Sequence, residues 1–255
     1  MINRKSAREI EMMRTAGRIA AEARSLASKL VTVGTTTRSI NKAIHEFLLS
    51  QGATPTFLGY RDFPASICIS VNNEVIHGIP SARKLIQGDI VSIDIGATKK
   101  GFVGDCAATF IAGKADTESE RLIKVTRECF FEGLKQAKAG NRISDISRAV
   151  QKHAESNGYS IVREFTGHGV GTKLHESPEV PNFIEVPRKQ KDPRLMPGMT
   201  LAIEPMVNAG SADIKVLEDG WTVVTADGRN SAHFENTILI TEGEPVILTV
   251  YEDLE

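Results

Sequence analysis

Cysteine and aromatic residues are scarce in this 255-residue chain, and it has almost no net charge and no long apolar run. The three cysteines, Cys68, Cys106 and Cys129, are an odd number without CxxC spacing, which indicates neither a disulfide framework nor a zinc ribbon. A net charge of -1 argues against a general binder of nucleic acid or membrane surfaces, and we expect no specific DNA binding. No stretch approaches the roughly 18 apolar residues that span a bilayer.

The opening residues, MINRKSAREIEMMRTAG, run directly into a charged amphipathic pattern and lack the apolar segment of a signal peptide. Free cysteines fit a reducing compartment. We therefore expect a cytoplasmic protein without a membrane partner. The composition, 41% hydrophobic and 25% charged, is that of an ordinary globular enzyme or binding protein, so function has to be read from local sites.

Helical patterns occur in two pairs along the chain. In each pair, a longer segment with apolar residues at helical spacing is followed by a shorter one bounded by glycines. The pairs cover 6–30 with 34–52, and 117–139 with 140–158. Because the second pair repeats the first at an offset of 106 positions, we predict two related halves, roughly 1–112 and 113–255, in a single domain.

Strand-like runs follow each helix pair, so the sequence predicts an α+β fold in which both halves contribute to a sheet and helices cover one of its faces. The segment 177–198 contains five prolines and is predicted to be a long loop. The predicted strands are 66–72, 90–98 and 101–110 in the first half, then about 161–166, 200–206, 221–226 and 232–240.

Two aspartates interrupt apolar runs in VSIDIGATKKGFVGDCAATF, from 91 to 110. If TKKG closes a hairpin with Lys99 and Lys100 at its tip, Asp94 lies directly opposite Asp105 with the Cβ atoms roughly 5 Å apart. Burying both carboxylates would require a proton or a cation between them. The alternatives are a solvent-facing pair, which the apolar neighbours disfavour, and a β-bulge that shifts the register by one residue.

Three further residues share this context. Glu204 lies in TLAIEPM, Glu235 in SAHFENTILIT, and His168 in FTGHGVGTKLHESP. A glycine-flanked histidine taken alone is more often a loop residue than a ligand. As a set, however, two Asp, one His and two Glu favour Mn, Fe, Co or Zn in a two-metal site over a thiolate zinc site. Two divalent cations would also neutralise the four carboxylates.

The order and wording of these motifs resemble the type I methionine aminopeptidases over nearly the whole chain. The resemblance implies a pita-bread fold, with pseudo-twofold halves and an antiparallel sheet covered by helices. It also implies that a hydroxide bridging two divalent metal ions (Co, Mn, Fe or Zn) removes the initiator methionine when the second residue is small. The motifs are SICISVNNEVIHGIP, IDIGATKKGFVGDCAATF, TGHGVGTKLHESPEVPNF, GMTLAIEPMVNAG and DGWTVVTADGRNSAHFENTILIT.

The same resemblance assigns metal-binding roles position by position. Asp94 would chelate one ion and His168 the other. Asp105 and Glu235 would bridge the two ions. Glu204 would ligate the second ion, take a proton from the nucleophile and return it to the leaving amine.

Substrate contacts are implied in the same way. His175 would stabilise the developing oxyanion and His77 would face the leaving peptide nitrogen, although by pattern alone each is a histidine beside a turn. The pocket for the methionine side chain would be lined by Tyr60, Phe63, Cys68 and Trp221.

Two residues depart from the family pattern. Leu174 stands where most relatives have an aromatic residue, so the pocket is expected to be roomier and less selective among unbranched side chains. His233 stands where we expect glutamine in most relatives, two residues before Glu235 and therefore on the same strand face. Its spacing allows a sixth ligand, but we favour hydrogen bonding behind the ligands because five residues already fill the site.

Two alternatives remain within the same fold. A proline-directed peptidase, aminopeptidase P or prolidase, usually carries an extra N-terminal domain, for which the length before Asp94 leaves no room. An inactive binding protein of this fold would have lost metal ligands, whereas all five positions are kept here. The implied partners are N-termini of nascent polypeptides, met by a monomer. The basic run RKQKDPR, 188–194, is either a solvated loop, which we favour, or a transient contact to ribosomal RNA.

Overall fold

The computed structural model describes residues 2–184 and 191–250, which form four α-helices, a large sheet and two small sheets. No helix in these two ranges is long and apolar enough to cross a membrane. The helices are α1 (Ala7–Leu30), α2 (Thr37–Ser50), α3 (Thr117–Gln136) and α4 (Ile143–Ser156). The strands are β1 (Thr54–Pro55), β2 (Cys68–Val71), β3 (Glu74–Ile76), β4 (Ile90–Lys99), β5 (Phe102–Ile111), β6 (Ser160–Ile161), β7 (Thr166–Gly169), β8 (Glu176–Pro181), β9 (Thr200–Ile203), β10 (Met206–Asn208), β11 (Ile214–Val216), β12 (Val223–Thr225), β13 (Ser231–His233), β14 (Glu235–Leu239) and β15 (Val246–Ile247).

Local sequence signals set the ends of the helices. Ser6 precedes α1 and forms a capping box with Glu9, which satisfies free N–H groups of the first turn. Helices α2 and α4 end in the same way: Gly52 and Gly158 adopt positive φ, and the residue after each glycine donates its N–H to the carbonyl five residues back along the chain, as in a Schellman motif. The two predicted helix pairs are confirmed, although α3 ends three residues before the predicted boundary at 139.

The large sheet runs through both predicted halves. Its main strand order is β1-β4-β5-β14-β9-β7-β8, with β2 also paired to β4 and β15 to β14, and its pairings are antiparallel. The two halves meet where β5 pairs with β14. The predicted α+β fold with an antiparallel sheet is therefore confirmed.

The hairpin formed by β4 and β5 is present, but its predicted register was wrong. Lys99 pairs with Phe102, so the two-residue turn is Lys100-Gly101 rather than Lys99-Lys100. Both turn residues have positive φ, which glycine adopts freely, and such turns match the twist of the flanking strands. Asp94 is consequently opposite Ala107, and Asp105 is its diagonal neighbour on the same face.

Several predicted strand boundaries were also wrong. The region 161–166 holds only the end of β6 and the start of β7. The predicted strand 200–206 is interrupted at Pro205, which has no N–H for a ladder, and the run 232–240 is split at Phe234 between two sheets. Part of the predicted loop is strand β8, which pairs with β7. The basic run 188–194 lies partly outside the described residues.

Helices cover one face of the large sheet because alternate strand residues are apolar. Ile93 and Cys106 pack into a core with α1 and α2, and Leu201 and Ile238 pack into another with α3 and α4. The intervening residues of the same strands point to the opposite face. That second face carries the predicted metal ligands.

Candidate metal centre

The pairing register places three predicted ligands in one row across the sheet. Asp94 in β4 lies opposite Ala107 in β5, which in turn lies opposite Glu235 in β14. Glu204 follows directly after β9, the next strand of the sheet. The small side chain of Ala107 leaves space between the carboxylates on either side of it.

The other two predicted ligands lie in the adjacent row. Thr237 in β14 is hydrogen bonded to the backbone of Asp105 in β5, with its hydroxyl donating to the Asp105 carbonyl over 2.9 Å. Thr237 lies opposite Ala202 in β9, and Ala202 lies opposite His168 in β7. Asp105 and His168 therefore flank two smaller residues, as Asp94 and Glu235 flank Ala107.

Donor atoms from these rows, together with His233 of β13, form two overlapping groups. One ligand atom each of Asp105, His168 and Glu235 lie within 4.8 Å of one another, and so do ligand atoms of Asp94, His233 and Glu235. Nε2 of His168 is 3.7 Å from Oδ2 of Asp105 and 3.4 Å from Oε1 of Glu204. Nδ1 of His168 lies 2.9 Å from the Gly169 carbonyl, to which it donates, so Nε2 is free to act as a ligand.

Burial shifts the titration of every one of these groups. It raises the pKa of Asp94 to about 7. It raises the pKa of Asp105 well above its usual value, and the charge of Asp94 raises it further. The pKa values of Glu204 and Glu235 are likewise raised well above normal by burial and then by neighbouring carboxylates. Burial lowers the pKa of His168 to about 3, so its imidazole is neutral at pH 7.

The donor set fits divalent metal ions. Four buried carboxylates cluster with a neutral imidazole, and each carboxylate has an oxygen that accepts no hydrogen bond from the described residues. Leaving buried polar atoms unpaired is unfavourable, and leaving ionised carboxylates uncompensated is more so. Cations at this position would supply both the charge and the missing partners. The unpaired atoms are Oδ1 of Asp94 and Asp105 and Oε1 of Glu204 and Glu235.

A cavity of about 200 Å³ opens onto this cluster. It brings together all eleven residues that the sequence predicted for the site. Apolar side chains dominate the wall away from the carboxylates, where the ring centroids of Phe63 and Trp221 are 5.0 Å apart. Leu174 lines the same cavity and is buried.

Two further histidines, His77 and His175, line the same cavity. The ring centroids of His175 and His168 are 4.2 Å apart, and Nδ1 of His175 is 2.7 Å from the Tyr60 hydroxyl. His77 has φ of 60°, a conformation uncommon for residues other than glycine and enriched at functional sites. Burial lowers the pKa of His77 to about 4 and also lowers that of His175.

Sequence reasoning missed four residues of this region. Phe57, Arg61 and Phe165 line the cavity, and they come from irregular segments whose sequence carries no periodic signal. Arg24 of α1 lies behind the sheet, where its buried guanidinium donates to the Glu235 carbonyl over 3.1 Å and to Oδ1 of Asn236 over 2.9 Å. Charged side chains are seldom buried, and no pattern in the sequence marked this one as buried.

A second cavity, of about 170 Å³, lies beside the start of α4 and is lined by residues including Ser144, Arg163 and Glu179. Neither group of metal-ligating side chains found in the described part of the chain lies there. The cavity in front of Asp94 and His168 is therefore the candidate site.

A cluster of buried carboxylates and a neutral histidine, on one face of an antiparallel sheet, defines a candidate metal centre. The chain belongs to metallopeptidase family M24, which it matches over residues 11–242.

Similar proteins carry a more specific name. The chain is 52% identical over 250 residues to a methionine aminopeptidase of Clostridium perfringens, covering 98% of this chain and 99% of that protein. It is 49% identical over 249 residues to methionine aminopeptidase 1 of Bacillus subtilis, covering 98% and 99%.

Solved structures agree with these relatives. Methionine aminopeptidase from Thermotoga maritima has a TM-score of 0.94 at 42% identity, covering 98% of this chain and 100% of that one. Prolidase from Pyrococcus furiosus has a TM-score of 0.78 at 23% identity, covering 98% of this chain and 66% of that one, and so shares the fold. The predicted pita-bread fold is confirmed.

Proposed function

We propose that this protein is a methionyl aminopeptidase that removes the N-terminal methionine from nascent proteins and peptides whose second residue is small. The proposal rests mainly on one observation: the carboxylate-rich cluster lines the same cavity as the apolar side chains. Relatives that are 41 to 52% identical over nearly their full length bear the name methionine aminopeptidase. The expected class, a hydrolase of the M24 family, follows from the same relatives.

The centre would hold two divalent ions, of Co, Mn, Fe or Zn. Asp94 would chelate one ion, and His168 and Glu204 would hold the other. Glu235 belongs to both groups of donor atoms, which supports its role as a bridge, and Asp105 would bridge beside it. When bound, such ions activate water for attack and polarise the carbonyl that is attacked.

The chain's own residues would handle the protons and orient the substrate. Glu204 would accept a proton from the nucleophile and return it to the leaving amine. If the Tyr60 hydroxyl donates to Nδ1 of His175, the neutral ring carries its proton on Nε2 and can donate it to the developing oxyanion. His77 would face the peptide nitrogen, and its lowered pKa keeps it neutral.

The apolar wall of the cavity would bind the methionine side chain. Tyr60, Phe63, Cys68 and Trp221 line it, and aromatic rings make favourable contacts with a thioether. Leu174 lines the same wall, so we expect unbranched analogues such as norleucine to be accepted as well.

The cellular setting forms part of the proposal. The protein would act in the cytoplasm as a monomer, on emerging polypeptide N-termini, with both halves in a single catalytic domain. The cysteines at 68, 106 and 129 are free and buried, as a reducing compartment would allow. Co-sedimentation with ribosomes would test a transient contact through the basic run 188–194.

The decisive experiment measures metal content and hydrolysis of Met-Ala-Ser beside an Xaa-Pro peptide. We expect Met-Ala-Ser to be cleaved by protein loaded with Mn, Co or Fe, and the Xaa-Pro peptide to remain intact. Asp105→Ala should remove both the activity and part of the bound metal. Asp213→Ala, at an exposed position outside the cavity, is the matched control and should retain both.

The outcomes separate the alternatives. Cleavage of the Xaa-Pro peptide alone would identify a proline-directed peptidase. Metal binding without cleavage of either peptide would indicate a binding protein of this fold. Cleavage of Met-Ala-Ser that survives Asp105→Ala would contradict the assigned mechanism.

A further inference from the structure

His233 lies at the end of β13, beside the carboxylates but outside the five-residue ligand set. Its backbone is fixed by Thr109, whose hydroxyl accepts from the His233 N–H over 3.0 Å and donates to the His233 carbonyl over 2.9 Å. Strand pairing with Met206 holds the same residue from the other side. The backbone that bears the imidazole is therefore held in place from both sides.

The ring of His233 is buried, and its Nε2 lacks a partner among the described residues. The residue is 2% exposed, and Nε2 forms no hydrogen bond with any part of the chain that the structure describes. Oε2 of Glu235 is 3.8 Å from this nitrogen, which is too far for a hydrogen bond. Nε2 therefore does not form the hydrogen bond behind the ligands that the sequence suggested.

Nε2 of His233 also has unpaired neighbours. Asp94 Oδ1 and Glu235 Oε1 accept no hydrogen bond from the described residues either. Ligand atoms of these three residues lie within 4.8 Å of one another. Donor atoms that each bind one ion at about 2.1 Å lie up to about 4.2 Å apart, so small side-chain rotations would bring all three onto a single ion. One cation would satisfy three buried polar atoms at once.

We propose that His233 is a sixth metal ligand, binding through Nε2 the ion that Asp94 and Glu235 hold. The inference rests on the proposed metal centre and changes one property of it. The position would otherwise have carboxylate oxygens only, which suit Mn, whereas an imidazole favours Co, Zn and Fe. Each of the two ions then has one histidine: His168 at one position and His233 at the other.

A crystal structure of the cobalt-loaded protein tests the proposal directly. We expect His233 Nε2 to lie about 2.1 Å from the ion that Asp94 binds. If two ions are bound and this nitrogen lies more than about 3 Å from both, the proposal is wrong. The proposed two-metal centre would still stand in that case. Absence of any bound ion would instead contradict the proposed function itself.

Proton NMR of the same cobalt-loaded protein gives a second readout, independent of activity. Imidazole N–H protons on cobalt-bound histidines shift far outside the normal range, so we expect two such signals, from His168 and His233. His233→Gln should abolish one signal. It should also weaken binding of the ion that Asp94 holds by about tenfold or more, with a larger loss for Zn than for Mn.

The matched control is His153→Gln, because His153 lies on α4 and contacts Glu128 rather than the cavity. That variant should keep both signals and the native affinity. Two signals retained in folded His233→Gln protein would overturn the assignment. The crystal structure of the native protein decides the question if His233→Gln does not fold.

Discussion

The hydroxyl of Tyr60 lies 2.7 Å from Nδ1 of His175 and connects two segments that are 115 residues apart in the chain. The Tyr60 segment is irregular, and the next two residues, Arg61 and Asp62, both have positive φ. Nothing periodic in the sequence indicates this contact. It gives Tyr60 a second role beside lining the apolar wall, because it fixes the ring orientation of His175.

Tyr60→Phe should lower kcat for Met-Ala-Ser and leave the melting temperature nearly unchanged. A hydrogen bond of this kind contributes about 1 kcal/mol, so we expect a loss of roughly fivefold to tenfold. Tyr159→Phe is the matched control, since Tyr159 accepts a hydrogen bond from Arg121 away from the cavity. Equal kcat in the two variants would contradict an orienting role for Tyr60.

The ion pair of Lys5 and Glu176 supports the loop that carries His175. Nζ of Lys5 is 2.6 Å from Oε2 of Glu176, and Oε1 of Glu176 accepts from the N–H groups of Thr172 and Lys173. Lys5→Ala leaves the carboxylate without its buried cation, so we expect a loss of about 3 kcal/mol in the free energy of unfolding. Urea denaturation measures it, and kcat should fall as the loop loosens.

The control for this pair has the same geometry at the surface. Nζ of Lys138 is also 2.6 Å from Oε1 of Glu244, but the two side chains are 45% and 77% exposed, against 2% and 13% for Lys5 and Glu176. Exposed pairs contribute about 0 to 1 kcal/mol, so Lys138→Ala should change stability little. Equal losses in the two variants would rule out burial as the source of the effect.

Metal removal should make stability depend on pH above about 6.5. A carboxyl whose pKa is higher in the folded than in the unfolded chain favours folding while protonated, and that contribution is lost as pH rises through the folded pKa. Burial raises the pKa of Asp94 to about 7. Burial and neighbouring carboxylates raise the pKa values of Asp105, Glu204 and Glu235 well above normal. The buried histidines act in the opposite sense, but only below their ordinary pKa of about 6.5.

Thermal unfolding from pH 6.5 to 8 checks this prediction. The melting temperature of chelator-treated protein should fall by about 2 to 4 °C per pH unit for each carboxyl that is protonated in the folded chain and ionised in the unfolded chain, while metal-loaded protein stays level. The difference between the two forms should therefore widen with pH. A difference in melting temperature that does not change with pH would mean that ionisation of these carboxyls does not destabilise the metal-free protein.

Gly17 allows α1 to approach closely the backbone of the segment at Leu248, next to β14. A Cβ at Gly17 would lie 2.3 Å from the Leu248 carbonyl oxygen, a fixed backbone atom. Alanine usually stabilises a helix by about 1 kcal/mol relative to glycine, but here we expect Gly17→Ala to destabilise the protein by about 1 to 3 kcal/mol.

Gly133→Ala is the control, because its Cβ would meet a side-chain end, Cγ2 of Val150, at 2.8 Å. We expect a smaller loss there, as measured by urea denaturation. A stability gain in Gly17→Ala would contradict the close approach.

Patterns that repeat over short distances were read correctly from the sequence. Helix spacing and caps gave all four helices, because N-cap side chains and C-terminal glycines satisfy backbone groups within a few residues. The hairpin was predicted, but its register was off because positive φ at Lys100 and Gly101 selects a different turn. The true partner of Asp94 is two residues away from the predicted one. Asp105 therefore stays on the same face of the sheet as Asp94, and the inference that they share a site remains valid.

The sequence by itself determined which residue types could bind cations, since a carboxylate within an apolar run needs compensation wherever it is buried. Only the tertiary structure decided how those groups meet: β5 pairs with β14 across more than a hundred residues, and that contact brings Asp105 and Glu235 together. It also decided that Arg24 supports the sheet from behind and that Nε2 of His233 has no hydrogen-bond partner among the described residues. Such relationships depend on long-range packing, which local spacing does not encode.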